Sequence, residues 1–144
     1  MPDMQTETML EARAEDTLSH SLEDYLEAIA DLAGEGNDSV RAVDVAAKLG
    51  VSKASVSKAV ANLKEKGYVD QPYYGDITLT EEGFAYGSAI WLRHNLFFRF
   101  LTERIGIDPE VANYEACQLE HGIGRASFEK WKAYFASIGI EGIR

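Results

Sequence analysis

VRAVDVAAKLGVSKASVSKAVANLKEKGYVDQPYYGDITLT, residues Val40 to Thr80, decides how the rest of the chain is read. Ala42 to Leu49 carries helical apolar spacing and stops at Gly50. A second helix is expected from about Ser52 to Lys66, with Ser52 as its N-cap. Gly67 then precedes two β-like runs, Tyr68–Gln71 and Ile77–Leu79, around a tyrosine-rich turn. Helix, glycine turn, helix and hairpin in that order predict a winged helix-turn-helix. Val43, Val45, Ala46 and Leu49 are expected to pack the first helix, and Val51, Val56, Val60 and Leu63 the second.

That packing leaves Lys53, Ser55, Ser57, Lys58 and Asn62 on polar faces. Serine and asparagine can hydrogen-bond phosphates or base edges, and lysine neutralises phosphate charge. A helix that opens at Ser52 also presents its free N–H groups and positive dipole end to an anion. Arg41 and the wing residue Tyr74 complete the candidate DNA contacts. The bland alternative is a solvated helix face, and the presence of the whole unit favours DNA. Charge distribution points the same way. The net charge of −10 argues against binding nucleic acid over the whole surface. Yet Arg41, Lys48, Lys53, Lys58, Lys64 and Lys66 face only Asp44 and Glu65 in the segment 41–66. Residues 1–38 hold one basic residue, Arg13, among eleven acids.

A chain of 144 residues can bury a real core. No apolar run is long enough for a bilayer, and the acidic N-terminus is no signal peptide. The single Cys excludes an internal disulfide framework and fits a reducing cytoplasm. Residues 1–16 are expected to be a mobile acidic tail. Residues 17–80 form the expected DNA-binding domain, which opens with a helix from Asp16 or Ser19 to about Ala33–Gly36. Its apolar stripe is Leu18, Leu22, Tyr25, Leu26, Ile29 and Leu32. Residues 81–144 form an expected all-α dimerisation domain. A long helix runs there from Glu81 to about Ile105, and a second from Pro109, capped by Asp108, to about His121. A third is capped by Ser127 and carries Phe128, Trp131, Tyr134, Phe135 and Ile138. The fold class is thus mainly α with a small β wing. The aromatic stripes exceed what a monomer of this size needs, which favours a homodimer over one filled core.

Cys117, Glu120 and His121 are spaced by three and four residues, so they share one helix face. Thiolate, carboxylate and imidazole together are a ligand set of mixed softness for a transition metal. A zinc finger is excluded, since there is no second Cys and no matching His pair. A cysteine hydrolase fits poorly, because three neighbours on one helix do not make an oriented nucleophile and base. No enzyme constellation is found. Asp24, Glu27 and His94 strengthen the metal reading, since each sits on a helix flank of apolar neighbours, where a charge needs a partner.

Four segments resemble the metal-dependent repressors of the diphtheria toxin repressor family, above all the short manganese transport regulator type. They are SLEDYLEAI (Ser21–Ile29), the winged unit, LRHNLFFRFL (Leu92–Leu101) and YEACQLEH (Tyr114–His121), and the similarity spans about Ser19 to Tyr134. The resemblance implies a winged helix-turn-helix domain joined to a helical dimerisation domain. Divalent Mn or Fe bound between them favours the DNA-binding form. Asp24 and Glu27 match first-helix carboxylates of the manganese type, where the iron type has Met at the first position. His94 matches a metal histidine of both types. Cys117 matches the cysteine of the iron type, where the manganese type has Glu. Glu120 and His121 match ligands of both. Phe98 and Asn113 replace the Glu and His of the iron type's ancillary site, and no SH3-like third domain is expected. The function implied is a cytoplasmic, homodimeric repressor of metal-homeostasis genes that reads a palindromic operator. Two alternatives stay open: a winged-helix regulator binding an organic ligand among Trp91, Phe97, Phe98 and Trp131, and a winged helix used only as a protein–protein module.

Overall fold

The winged unit begins with α1, His20–Ala33, which ends where Gly34 turns into the left-handed region. The computed structural model describes residues 18–72 and 75–142, so the expected tail 1–16 and Tyr74 lie outside the described residues. Tyr25, Leu26, Ile29, Ala30 and Ala33 are buried on α1, while Leu32 is exposed and drops out of the expected stripe. Tyr25, Leu26 and Ile29 keep the stripe, and Ala28, Ala30 and Ala33 complete the buried face. Helices α2, Ala42–Leu49, and α3, Lys53–Glu65, pack on α1 and on each other. Gly50 closes α2 at φ 66°, a conformation that costs glycine little, and its N–H bonds the Ala46 carbonyl.

Val45 and Ala46 of α2 and Val56, Ala59, Val60 and Leu63 of α3 make the core. Val43 was expected inside but is 43% exposed. It is the second residue of a short helix whose inward face is set by Val45 and Ala46. Strands β1, Val69–Asp70, and β2, Thr78–Leu79, pair antiparallel, with Val69 opposite Leu79. Val40 and Ile77 extend the ladder by a bridge, exchanging both backbone hydrogen bonds at 2.7 Å. The strands are shorter than expected for a local reason. Tyr68 spends its N–H on the Leu63 carbonyl of α3, and Gln71 spends its own on the Asp70 carboxylate.

The wing is fastened to the start of α4, Glu81–Phe100. Thr80 Oγ1 donates to the Gly67 carbonyl at 2.7 Å and accepts from the Gly83 N–H at 3.1 Å. Gly83 has no alternative there, since a Cβ would stand 1.8 Å from the Tyr68 carbonyl oxygen. Tyr86 packs edge-on against Tyr68 and donates to the buried Glu23 of α1 at 2.8 Å.

Residues 20–93 form one compact unit and 94–142 another, so α4 contributes its first part to one and its last part to the other. In the second unit α4 continues as a π-helical turn, Leu101–Ile105, where Thr102 Oγ1 donates back to the Phe98 carbonyl at 2.9 Å. Helix α5, Pro109–Gly122, starts as expected, with Asp108 accepting from the Glu110 N–H. Helix α6 is Arg125–Ser137 with Gly124 at the N-cap. Ser127 therefore lies inside the first turn and does not cap it. The Gly124 backbone is extended, and its carbonyl accepts from Phe128 N–H. Phe97 and Phe135 are fully buried with ring centroids 5.4 Å apart, and Phe128 and Trp131 pack on Phe97.

Candidate metal centre and nucleic-acid interface

Within the second unit, α4 supplies His94 and α5 supplies Asn113, Cys117, Glu120 and His121. The α5 residues recur at helical spacing, so they share one face. Glu120 is the centre. It is only 1% exposed, a position where a carboxylate needs partners. One carboxylate oxygen lies 3.3 Å from His94 Nδ1 and the other 3.3 Å from His121 Nε2. The Cys117 Sγ and a His121 ring nitrogen lie within 4.8 Å of each other. His94 Nε2 meets Asn113 Oδ1 at 2.8 Å, and its ring stacks on Phe98. Burial pushes the Glu120 carboxyl up, but hydrogen bonds from His121 and His94, with their charges, outweigh it and hold the carboxyl below its ordinary value. A buried carboxylate flanked by two imidazoles, with a thiol one turn away, fits a divalent transition metal by donor chemistry.

Within the first unit, Asp24 and Glu27 are half-buried on α1, with carboxylate oxygens within 4.8 Å of each other. His20 Nε2 lies 3.7 Å from Asp24 Oδ2. Sequence reasoning passed over His20, although its spacing of four from Asp24 was a usable signal. It also missed Glu23, whose partner Tyr86 lies far along the chain, beyond any local pattern.

Six of the eight proposed DNA-reading residues lie on α3 or at its N-cap. Ser52, Lys53, Ser55, Ser57, Lys58 and Asn62 are all exposed on α3 or at its N-cap. Ser52 accepts from the Ser55 N–H at 3.1 Å, as expected of the cap, and its hydroxyl also bonds that of Ser55 at 3.0 Å. Arg41 stands just before α2 and binds Asp44 through two guanidinium nitrogens at 3.1 and 3.3 Å. That hydrogen bond, with the Asp44 charge, raises the Arg41 pKa. Lys64, in the last turn of α3, reaches the wing, where it donates to the Gln71 carbonyl and pairs with Asp70. Lys48 pairs with Asp31 of α1 at 2.6 Å.

A winged helix-turn-helix unit and a helical unit built around a buried His–Glu–His cluster define a DNA-binding regulator with a metal centre. The comparisons with known proteins agree. Residues 17–76 match the family of the iron dependent repressor, N-terminal DNA binding domain, and residues 80–138 match its metal binding and dimerisation domain. The chain belongs to the iron-dependent repressor family, and with it to the metal-dependent DNA-binding repressors of transcription. It is 36% identical over 118 residues to an uncharacterised helix-turn-helix transcriptional regulator of Methanocaldococcus jannaschii, covering 81% of this chain and 94% of that one. It is 32% identical over 118 residues to the transcriptional regulator MntR of Salmonella typhimurium, covering 82% of this chain and 74% of that protein. Among solved structures, a manganese-dependent transcriptional repressor in complex with manganese superposes with a TM-score of 0.69 at 30% identity, over 80% of this chain. The chain spans about half the length of such structures, 52% in that case. Among the described residues no helix is long and apolar enough to cross a membrane.

Proposed function

We propose that this chain is a manganese- or iron-activated repressor of metal-homeostasis genes, acting in the cytoplasm as a homodimer on a palindromic operator. Asp24, Glu27, His94, Cys117, Glu120 and His121 are the proposed ligands. The single observation that carries the reading is the buried Glu120 carboxylate between His94 and His121. The metal would supply positive charge that offsets the repulsion of three carboxylates and a thiolate. His121 and Glu120 hold each other in place, and Cys117 adds a softer donor that favours Fe²⁺ over Mn²⁺ more than an oxygen would. By linkage, the conformer that binds metal more tightly becomes more populated.

The DNA contacts proposed are Arg41, Ser52, Lys53, Ser55, Ser57, Lys58, Asn62 and Tyr74. Lys53 and Lys58 neutralise phosphates, and Asn62 and the serines reach base edges or phosphates. Dimerisation is assigned to the second unit. Phe97, Phe128 and Phe135 fill its core, while Tyr114, Val111, Trp131 and Tyr134 stay exposed. The same packing disfavours an organic ligand among Phe97 and Trp131, whose rings already fill each other's space. No catalytic role is assigned.

Fluorescence anisotropy of labelled palindromic duplexes, titrated anaerobically with each metal, tests this reading. Mn²⁺ or Fe²⁺ should tighten binding at least tenfold, and Glu120→Ala should remove the effect. Metal-independent binding of the same strength would refute it.

A further inference from the structure

Phe98, Glu120 and Asn113 are among the side chains that contact the ring of His94. Phe98, one turn along α4, stacks on its face with the planes 9° apart. Glu120 faces Nδ1 at 3.3 Å, and Asn113 faces Nε2 at 2.8 Å. Stacking fixes the plane of the ring but not which nitrogen points where. Asn113 settles that. It lies on the same α5 face as Cys117 and Glu120, so the helix that brings the carboxylate to Nδ1 also brings the amide to Nε2. An amide oxygen can only accept, so the contact as it stands is satisfied by a proton on Nε2. In the metal-free protein Nδ1 faces the Glu120 carboxylate as its partner, and it is the nitrogen whose proton a metal ion would replace.

We propose that Asn113 is a positioning residue. Through its Oδ1 it holds His94 Nε2–H, so that Nδ1 is the atom offered to a metal ion beside Glu120. The inference rests on the metal reading above. Metal-bound imidazoles commonly donate their other N–H to a fixed acceptor, and loss of that acceptor weakens metal binding by about 10–100-fold. The proposed role is distinct from ligation, because Asn113 acts on the ring of His94 and not on the ion.

The test uses the full chain. Mn²⁺ binding is measured by calorimetry for wild type, Asn113→Leu and Asn113→Asp. Leucine keeps the branched shape and removes the acceptor, while aspartate keeps the acceptor. Zn²⁺-loaded, ¹⁵N-histidine-labelled protein is then read by NMR, with His94 assigned by difference from His94→Gln. Wild type and Asn113→Asp should show His94 bound through Nδ1 with a proton on Nε2. Asn113→Leu should bind Mn²⁺ about tenfold or more weakly and lose the single Nδ1-bound state. Its metal-free melting temperature should stay within about 2 °C of wild type, since an exposed side chain has changed. Two results overturn the inference: wild-type His94 bound through Nε2, or Asn113→Leu binding Mn²⁺ within twofold of wild type through Nδ1. Absence of Mn²⁺ and Zn²⁺ binding in wild type is a different result, which removes the metal reading itself and this inference with it.

Discussion

The winged unit and the helical unit keep their proposed functional groups in opposite places. In the first, Val56, Ala59, Val60 and Leu63 of α3 are buried, and Ser52, Lys53, Ser55, Ser57, Lys58 and Asn62 are outside. Reader and core are separate faces of one helix. In the second, Glu120 is itself one of the largest fully buried side chains, alongside Phe97 and Phe135. Core and candidate site are the same place. A surface reader can therefore change without unfolding its scaffold. A buried ligand cluster cannot, because its charge is tolerated only while its partners stay in position.

The largest expected effect falls on Glu120. Glu120→Ala should weaken Mn²⁺ binding by about a hundredfold or more, roughly 3 kcal/mol, and should also alter the melting temperature of metal-free protein. Calorimetry with and without metal separates the two consequences. Had the cluster been a surface feature, only the first would appear.

Next comes the wing clamp. Gly83→Ala places a methyl group against the Tyr68 carbonyl, with no flexible side chain to yield. It should cost roughly 2–3 kcal/mol in chemical denaturation and weaken DNA binding through the displaced wing. Unchanged stability would show that the start of α4 is looser than the contact implies.

The surface reader should behave otherwise. Neutralising Lys53 and Lys58 together should reduce the salt dependence of DNA binding by roughly two in the log–log slope and weaken every duplex similarly. Stability should shift by less than about 0.5 kcal/mol per site. A large loss of stability would blur the contrast between the two units.

The first unit was the more legible in sequence, and the reason is periodicity. Gly50, Ser52 and the valine spacing of α2 and α3 are local signals, and each lies within a residue of its expected place. Errors came where one residue answers to a distant neighbour. Val43 and Leu32 are apolar at helical spacing yet exposed, and alanines took the buried positions. Ser127 looked like a cap, but extended backbone at Gly124 started α6 earlier. In the site, Cys117, Glu120 and His121 could be read from spacing on one helix. The roles of Asn113 and Glu23 could not, since each depends on a residue brought from another helix, His94 and Tyr86.

The smallest effect is on acid stability. Glu120 has a folded pKa below its ordinary value, so its contribution to stability is present above the unfolded value of about 4.3 and is lost as pH falls through the folded pKa. Metal-free wild type should lose stability on that acid side, and Glu120→Gln should flatten that slope. The exposed lysines of α3 should leave it unchanged.

The central claim is the proposed one, that a divalent ion is held in the second unit with Glu120 at its heart. Crystals grown anaerobically with Mn²⁺ and measured at the manganese absorption edge test it most directly. The account predicts an anomalous peak bonded to Glu120, His94, His121 and Cys117. A peak elsewhere, or none at full Mn²⁺ loading, would contradict it.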